Sequence, residues 1–263
     1  MIVFVVVLGL GVGGYALFSY VRPYLHGTNC RVNSVPLDLE QAANAATIAA
    51  VATGKRLPER ALVIAYATTM QESHIRNLPG GDRDSVGLFQ QRPSQGWGKR
   101  ERLLDPVYAS HRFFDALVKV RKYLDRPVHD SAQQVQHSAD GRAYAQHVEV
   151  AEALAAAYTG RRPTAVRCWF TPGRRTTERR AAALRELRRA LGSLRVAAEP
   201  GQRDAVRVTS RRDGWTVASW AVSHAQEYGL TEIRYAGRSW TADDGYAGWT
   251  EDDRAPADRV IVR

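Results

Sequence analysis

The chain contains only two cysteines, Cys30 and Cys168, one on either side of its first folded region. Two lone cysteines flanking a domain suit a disulfide that staples its ends in an oxidising compartment. Two unrelated buried thiols is the alternative. Following the pairing places the body of the protein outside the cytoplasm.

The N-terminus adds a second constraint. Ile2 to Val21 reads IVFVVVLGLGVGGYALFSYV, an uncharged run whose length matches a bilayer core at helical rise. Arg22 and Pro23 close it. A secretory signal peptide fits less well, because no basic region precedes the run and no Ala-x-Ala site follows it. The expectation is a single-pass membrane anchor over residues 1–22 in the cell membrane, with an extracytoplasmic body. The lone Arg22 after the span pulls weakly the other way under the positive-inside rule.

Formal net charge is +10, carried mostly by arginine. A surface of this sign favours an anionic partner, such as an acidic wall polymer, anionic lipid or nucleic acid. The chain has no recognisable nucleic-acid motif, and an external location also argues against that partner.

Patterning divides the chain into five parts. Residues 1–22 are the anchor and 23–36 a stalk. Residues 37–174 form a helical domain. There Asp38-Leu39-Glu40-Gln41 reads as a capping box that opens an alanine-rich helix ending at Gly54. Leu57-Pro58-Glu59 starts a second helix running to about His74. Asp105-Pro106 starts a third, to about Leu124, with Phe113, Phe114, Leu117 and Val120 on its apolar face. Asp130-Ser131 and Asp140-Gly141 mark two more starts, the last running to about Tyr158. Residues 175–204 hold a basic amphipathic helix (176–192) and a linker. Residues 205–263 form a small α+β unit, with a helix over 213–228 and short alternating strands near 206–208, 232–235 and 258–262. The expected class is mainly α, with an N-terminal transmembrane helix and a small α+β C-terminal domain.

Glu72 is the residue that most invites a chemical reading. Ala61, Ala65, Thr68 and Glu72 share one helix face. The carboxylate lies at the negative end of the helix dipole, near the apolar Met70, Leu88 and Phe89. Dipole and desolvation both raise a carboxyl pKa. A glutamate protonated near neutral pH is what a general acid needs to cleave a glycosidic bond. The loop after it holds Gly80-Gly81 for a tight turn and Gly87 for close backbone approach. Gln90, Gln91 and Gln95 offer amide donors and acceptors for sugar hydroxyls. Phe89 and Trp97 offer flat surfaces for a sugar ring. The plainer reading is a glutamate capping a loop whose glutamines face solvent.

The order Glu72-Ser73, a short loop, then Ser85-Val86-Gly87-Leu88-Phe89-Gln90 resembles the lytic transglycosylases and goose-type lysozymes. The fuller form, QES…RN…GDRDSVGLFQQRPSQGWG…DPVY, resembles a lysozyme-like domain of actinobacterial wall-associated proteins. The similarity covers about residues 36–168. It implies a lysozyme-like fold acting on peptidoglycan glycan strands without a cofactor, with Glu72 as general acid/base. Ser73 would support the site, while Gly87, Leu88, Phe89 and Gln90 would line the sugar groove. Ala153 to Gly160, ALAAAYTG, only loosely matches a later family segment, which leaves Tyr158 without an assigned role.

A lytic transglycosylase can work with one glutamate, whereas an inverting hydrolase needs a second carboxylate to activate water. Asp82 and Asp84 are the nearest candidates, although both also suit Asx turns. As calcium ligands the two make a weak motif. Two non-enzymatic readings compete: a module that binds glycan without cutting it, and an envelope scaffold.

Residues 213–263 resemble a small wall-protein domain related to zinc D,D-peptidase folds. The matching residues are Gly214-Trp215, Ala218-x-Trp220, Tyr235-x-Gly237-Arg238-x-Trp240, Gly248-Trp249 and Asp258-Arg259-Val260-Ile261-Val262. That fold's metal histidines would fall at Arg259 and Ile261. His224 is the only histidine in the unit, so no metal and no peptidase activity are expected.

Overall fold

The computed structural model describes residues 27–136, 141–171, 176–192, 197–199 and 202–263. The first elements are β1 (Asn29–Val32) and β2 (Val35–Leu37), antiparallel neighbours joined through Asn33, whose φ of 54° suits a tight hairpin turn. β3 (Val166–Trp169) pairs on the other edge of β1 and sets Cys168 directly opposite Cys30. The two sulfurs are bonded, so the start and end of the helical unit are joined covalently.

The helices are α1 (Leu39–Gly54), α2 (Glu59–Ser73), α3 (Arg100–Leu103), α4 (Pro106–Leu117), α5 (Val128–Gln136), α6 (Val148–Tyr158), α7 (Thr177–Leu191), α8 (Arg211–Ser223) and α9 (Ala225–Tyr228). Asp38 caps α1 as a full capping box: its side chain accepts from Gln41 N, and Gln41 Oε1 accepts from Asp38 N. The stretch Ala45–Ala52 is buried all round, which makes α1 the central helix. Its alanines leave room for α2, α4, α7 and α8 to pack closely about it. A Cβ on Gly54 would meet the Leu191 carbonyl, so the end of α7 rests on the end of α1.

A second antiparallel sheet runs in the order β4 (Ala197–Glu199), β5 (Gln202–Arg207), β9 (Arg259–Val262), β6 (Glu232–Tyr235), β7 (Arg238–Thr241), β8 (Thr250–Glu251). Ile233, Tyr235, Trp240, Val260 and Val262 are buried from this sheet, and α8 covers β6 and β9. Gly214 of α8 lies where a Cβ would enter the Tyr235 ring, which explains the glycine inside a helix. The other face of α8 packs on α1, so the helical unit and the second sheet share one hydrophobic cluster. Near the seam Trp249 Nε1 donates to Val166 O of β3 at 2.8 Å.

Among the described residues the mainly α class gives way to α+β, with two antiparallel sheets of three and six strands. The anchor expected over 1–22 lies outside the described residues. Among the described residues no helix is long and apolar enough to cross a membrane. Three helix boundaries also move. The helix from Asp105 stops at Leu117, and the left-handed Lys122, φ 57°, prevents its continuation. The helix expected from Asp140-Gly141 begins as a 3-10 segment, Gly141–His147, before α6. The helix over 213–228 breaks at His224 into α8 and α9.

Candidate active site

Helix α2 starts after Pro58, whose missing N–H costs nothing at a helix N-terminus. It ends where His74 and Ile75 both take left-handed φ, 53° and 60°. Ala61, Ala65 and Thr68 are buried, and Glu72, one turn on from Thr68, is half-buried. Tyr144 Oη donates to Glu72 Oε1 at 2.6 Å. Tyr144 is itself buried, in the 3-10 segment. The same segment holds the neighbouring residue of α2: Gln146 Nε2 donates to Gln71 Oε1 at 3.3 Å, and His147 Nε2 lies 3.0 Å from that oxygen. Burial pushes the His147 pKa down, and the adjacent His74 adds to the effect. The 3-10 segment therefore straps the last turn of α2 and fixes the Glu72 carboxyl.

Ser73 fastens the other side. Its Oγ lies 2.7 Å from Leu88 O and 3.2 Å from Thr69 O, which ties the helix end to the Gly87–Gln90 segment. Gly87 has a φ of 77° and donates from its backbone N to Leu78 O at 2.8 Å. Val86 and Gln91 exchange backbone hydrogen bonds of 3.1 Å in both directions, closing the turn. Gln136 Nε2 of α5 donates to Phe89 O at 2.6 Å. Adjacent carbonyls, 88 and 89, are thus held by two different helices.

Several residues read as sugar contacts are structural. Leu88 and Phe89 are fully buried, and the Phe89 ring stacks on Phe113 with centroids 4.4 Å apart. Phe89 therefore offers no surface to a sugar. Gln91 is buried, with Nε2 donating to Ala109 O at 3.3 Å. Gln90 spends its amide within the loop, on Gly87 O at 3.1 Å and Ser85 Oγ at 3.0 Å. Trp97 is only half-buried and lines an open groove of about 800 Å³.

The two aspartates part company. Asp82 is exposed, its carboxylate 3.8 Å from Arg83 Nε, while its backbone carbonyl accepts from Ser85 N at 3.1 Å and Ser85 Oγ at 2.8 Å. Asp84 accepts from Arg92 Nε at 2.8 Å, Ser94 N at 2.7 Å and Ser94 Oγ at 2.9 Å. The Arg92 bond, then the Ser94 backbone N–H, hold its pKa well below the usual carboxylate range. Asp84 is a clamp across the loop.

Tyr158 is buried, its hydroxyl donating to Ala42 O at 3.1 Å and lying 3.1 Å from Ser223 Oγ, so it joins α6, α1 and α8. In the C-terminal unit, His224 is buried with Nε2 3.2 Å from Thr47 Oγ1 of α1 and Nδ1 3.0 Å from Trp220 O. Among the described residues no group of three or more His, Cys, Asp or Glu could hold a metal ion.

Nothing in the sequence singles out Tyr144, Gln146 and His147. They carry no spacing relation to Glu72, and only the fold of the 3-10 segment brings them there. Compared with models of known families and with curated proteins, the chain matches none.

Proposed function

We propose that the chain cleaves the glycan strands of peptidoglycan outside the cytoplasm, in the manner of a lytic transglycosylase, with Glu72 as its single acid/base. The observation that carries this reading is the 2.6 Å hydrogen bond from buried Tyr144 to Oε1 of the half-exposed Glu72. That bond occupies one carboxyl oxygen. Oε2 takes no hydrogen bond from the described residues, and it is the oxygen that delivers a proton to the glycosidic oxygen. After bond cleavage the same carboxylate removes the proton of the substrate's own 6-hydroxyl, which closes an anhydro ring. Asp84 is spent on Arg92 and Ser94, which favours a mechanism without a second carboxylate. Half-buried Trp97 is the remaining flat surface for a sugar ring.

Incubation of the chain with purified peptidoglycan, with mass spectrometry of the products, tests the reading. Anhydro-muramyl ends that vanish with Glu72→Gln support it. Reducing ends would replace it with hydrolysis and turn attention to Asp82. No product from folded protein on several wall types, with glycan still bound, would overturn it in favour of a glycan-binding module.

A further inference from the structure

The groove that Trp97 lines has an uneven charge. Its walls come from the Gly96–Trp97 turn, from α4 with the turns after it, and from α5. They carry three cations, Arg112, Lys119 and Arg121, against one carboxylate, Asp115. Asp115 is already engaged by Lys55, Nζ to Oδ1 at 2.6 Å. Arg112 donates from Nε to Trp97 O at 2.8 Å and from Nη2 to Gly96 O at 3.0 Å. Those neutral carbonyls hold the guanidinium in place without cancelling its charge. Lys119 and Arg121 are exposed and have no carboxylate partner among the described residues. Cations set in a concave wall raise the local concentration of anions more than the same charges on a convex surface.

The groove is also fastened to the Glu72 turn. Gln134 lines it, and Gln136, on the same helix, bonds to Phe89 O. Ser73, next to Glu72, bonds to Leu88 O. The two features therefore share one backbone segment as their mount. The groove volume falls within the roughly 300–1,000 Å³ of sites that enclose a small ligand.

We infer that this groove seats the carboxylate-bearing peptide arms of the glycan, an inference that rests on the glycan reading of Glu72. Arg112, Lys119 and Arg121 match free carboxylates. Gln134 supplies an amide for peptide groups. A flat lipid surface cannot enter a concave site, which favours a chain-like anion.

The test uses the full chain carrying Glu72→Gln, so that ligands stay intact. Affinity is measured calorimetrically for three fragments: a disaccharide with a carboxylate-bearing peptide, the same fragment with its carboxylates amidated, and the disaccharide alone. The first should bind about tenfold more tightly than the second, and the advantage should shrink as salt rises. Lys119→Glu with Arg121→Glu, both exposed positions that tolerate substitution, should abolish the advantage and leave disaccharide binding unchanged. Equal affinity for the charged and amidated fragments, or a charge advantage that survives the double reversal, overturns the proposal. Cleavage of peptide-free strands by the unmodified chain reports on Glu72 alone. If that cleavage is absent while the carboxylate advantage persists, the reading of Glu72 fails and the anion site stands.

Discussion

Tyr144 Oη donates to Glu72 Oε1 at 2.6 Å across 72 residues of sequence. A buried phenol aimed at a half-buried carboxyl orients it without occupying its second oxygen. Tyr144→Phe keeps the ring and removes only that bond. Glu72 gains charge as it delivers its proton, and a hydrogen bond to a charged group is worth about 1.5 kcal/mol or more, so kcat should fall roughly tenfold with KM little changed. Steady-state kinetics on soluble glycan fragments decide it. An unchanged kcat would remove Tyr144 from the site.

The aspartates of the loop should respond differently. Asp82→Asn should leave turnover within about twofold, since surface changes away from special features do little. Asp84→Asn frees Arg92 and Ser94, and should raise KM and open the loop to proteases. Loss of kcat in the Asp82 variant alone would instead assign that residue a catalytic part.

The disulfide spans a sequence separation of 138. Replacing Cys30 and Cys168 together by serine should cost about 2–5 kcal/mol of stability, because the unfolded chain regains the freedom of a long loop. Urea unfolding of the double variant, beside the parent with and without reductant, reads this directly. A midpoint that does not move would mean that the β1–β3 pairing holds the two ends unaided.

His224 should make stability pH-dependent. Burial pushes its pKa down to about 4, against about 6.5 in an unfolded chain. The unfolded state takes up the proton first, so the contribution is complete above pH ~6.5 and is lost as pH falls towards 4. Between pH 7 and pH 5 the loss should be about 2 kcal/mol. His224→Gln should flatten that part of the curve, as measured by urea midpoints at the two pH values. A parallel curve for the variant would show that other groups set the slope.

Local signals in the chain were legible where one residue acts on its near neighbours. The Asp38–Gln41 capping box and the Asp105-Pro106 helix start are both read within four positions, and both are present. The pairing of Cys30 with Cys168 could be read because no other cysteine competes. Long-range closure was not legible. β1 and β3 are four residues each, and although both alternate in burial, nothing local tells either which distant strand it joins. The stretch that reads as a linker holds β4 and the start of β5, which pair with each other, and β5 joins the rest of the sheet through distant β9. Phe89 reads as a sugar platform because a sequence cannot say on which side of a turn an aromatic ring falls. Here Phe113 claims it for the core. Tyr158 lies within the loosely matching segment, yet its hydroxyl serves Ala42 and Ser223, and the phenol at Glu72 comes from elsewhere.

The bonded cysteines also alter the connectivity of the molecule. Residues 30–168 form a covalent ring with a tail at each end. A protease that severs one peptide bond inside the ring opens it but liberates no fragment. Only a cut before Cys30 or beyond Cys168 can set a piece free, so the unit that carries Glu72 outlasts its first nick as a single molecule.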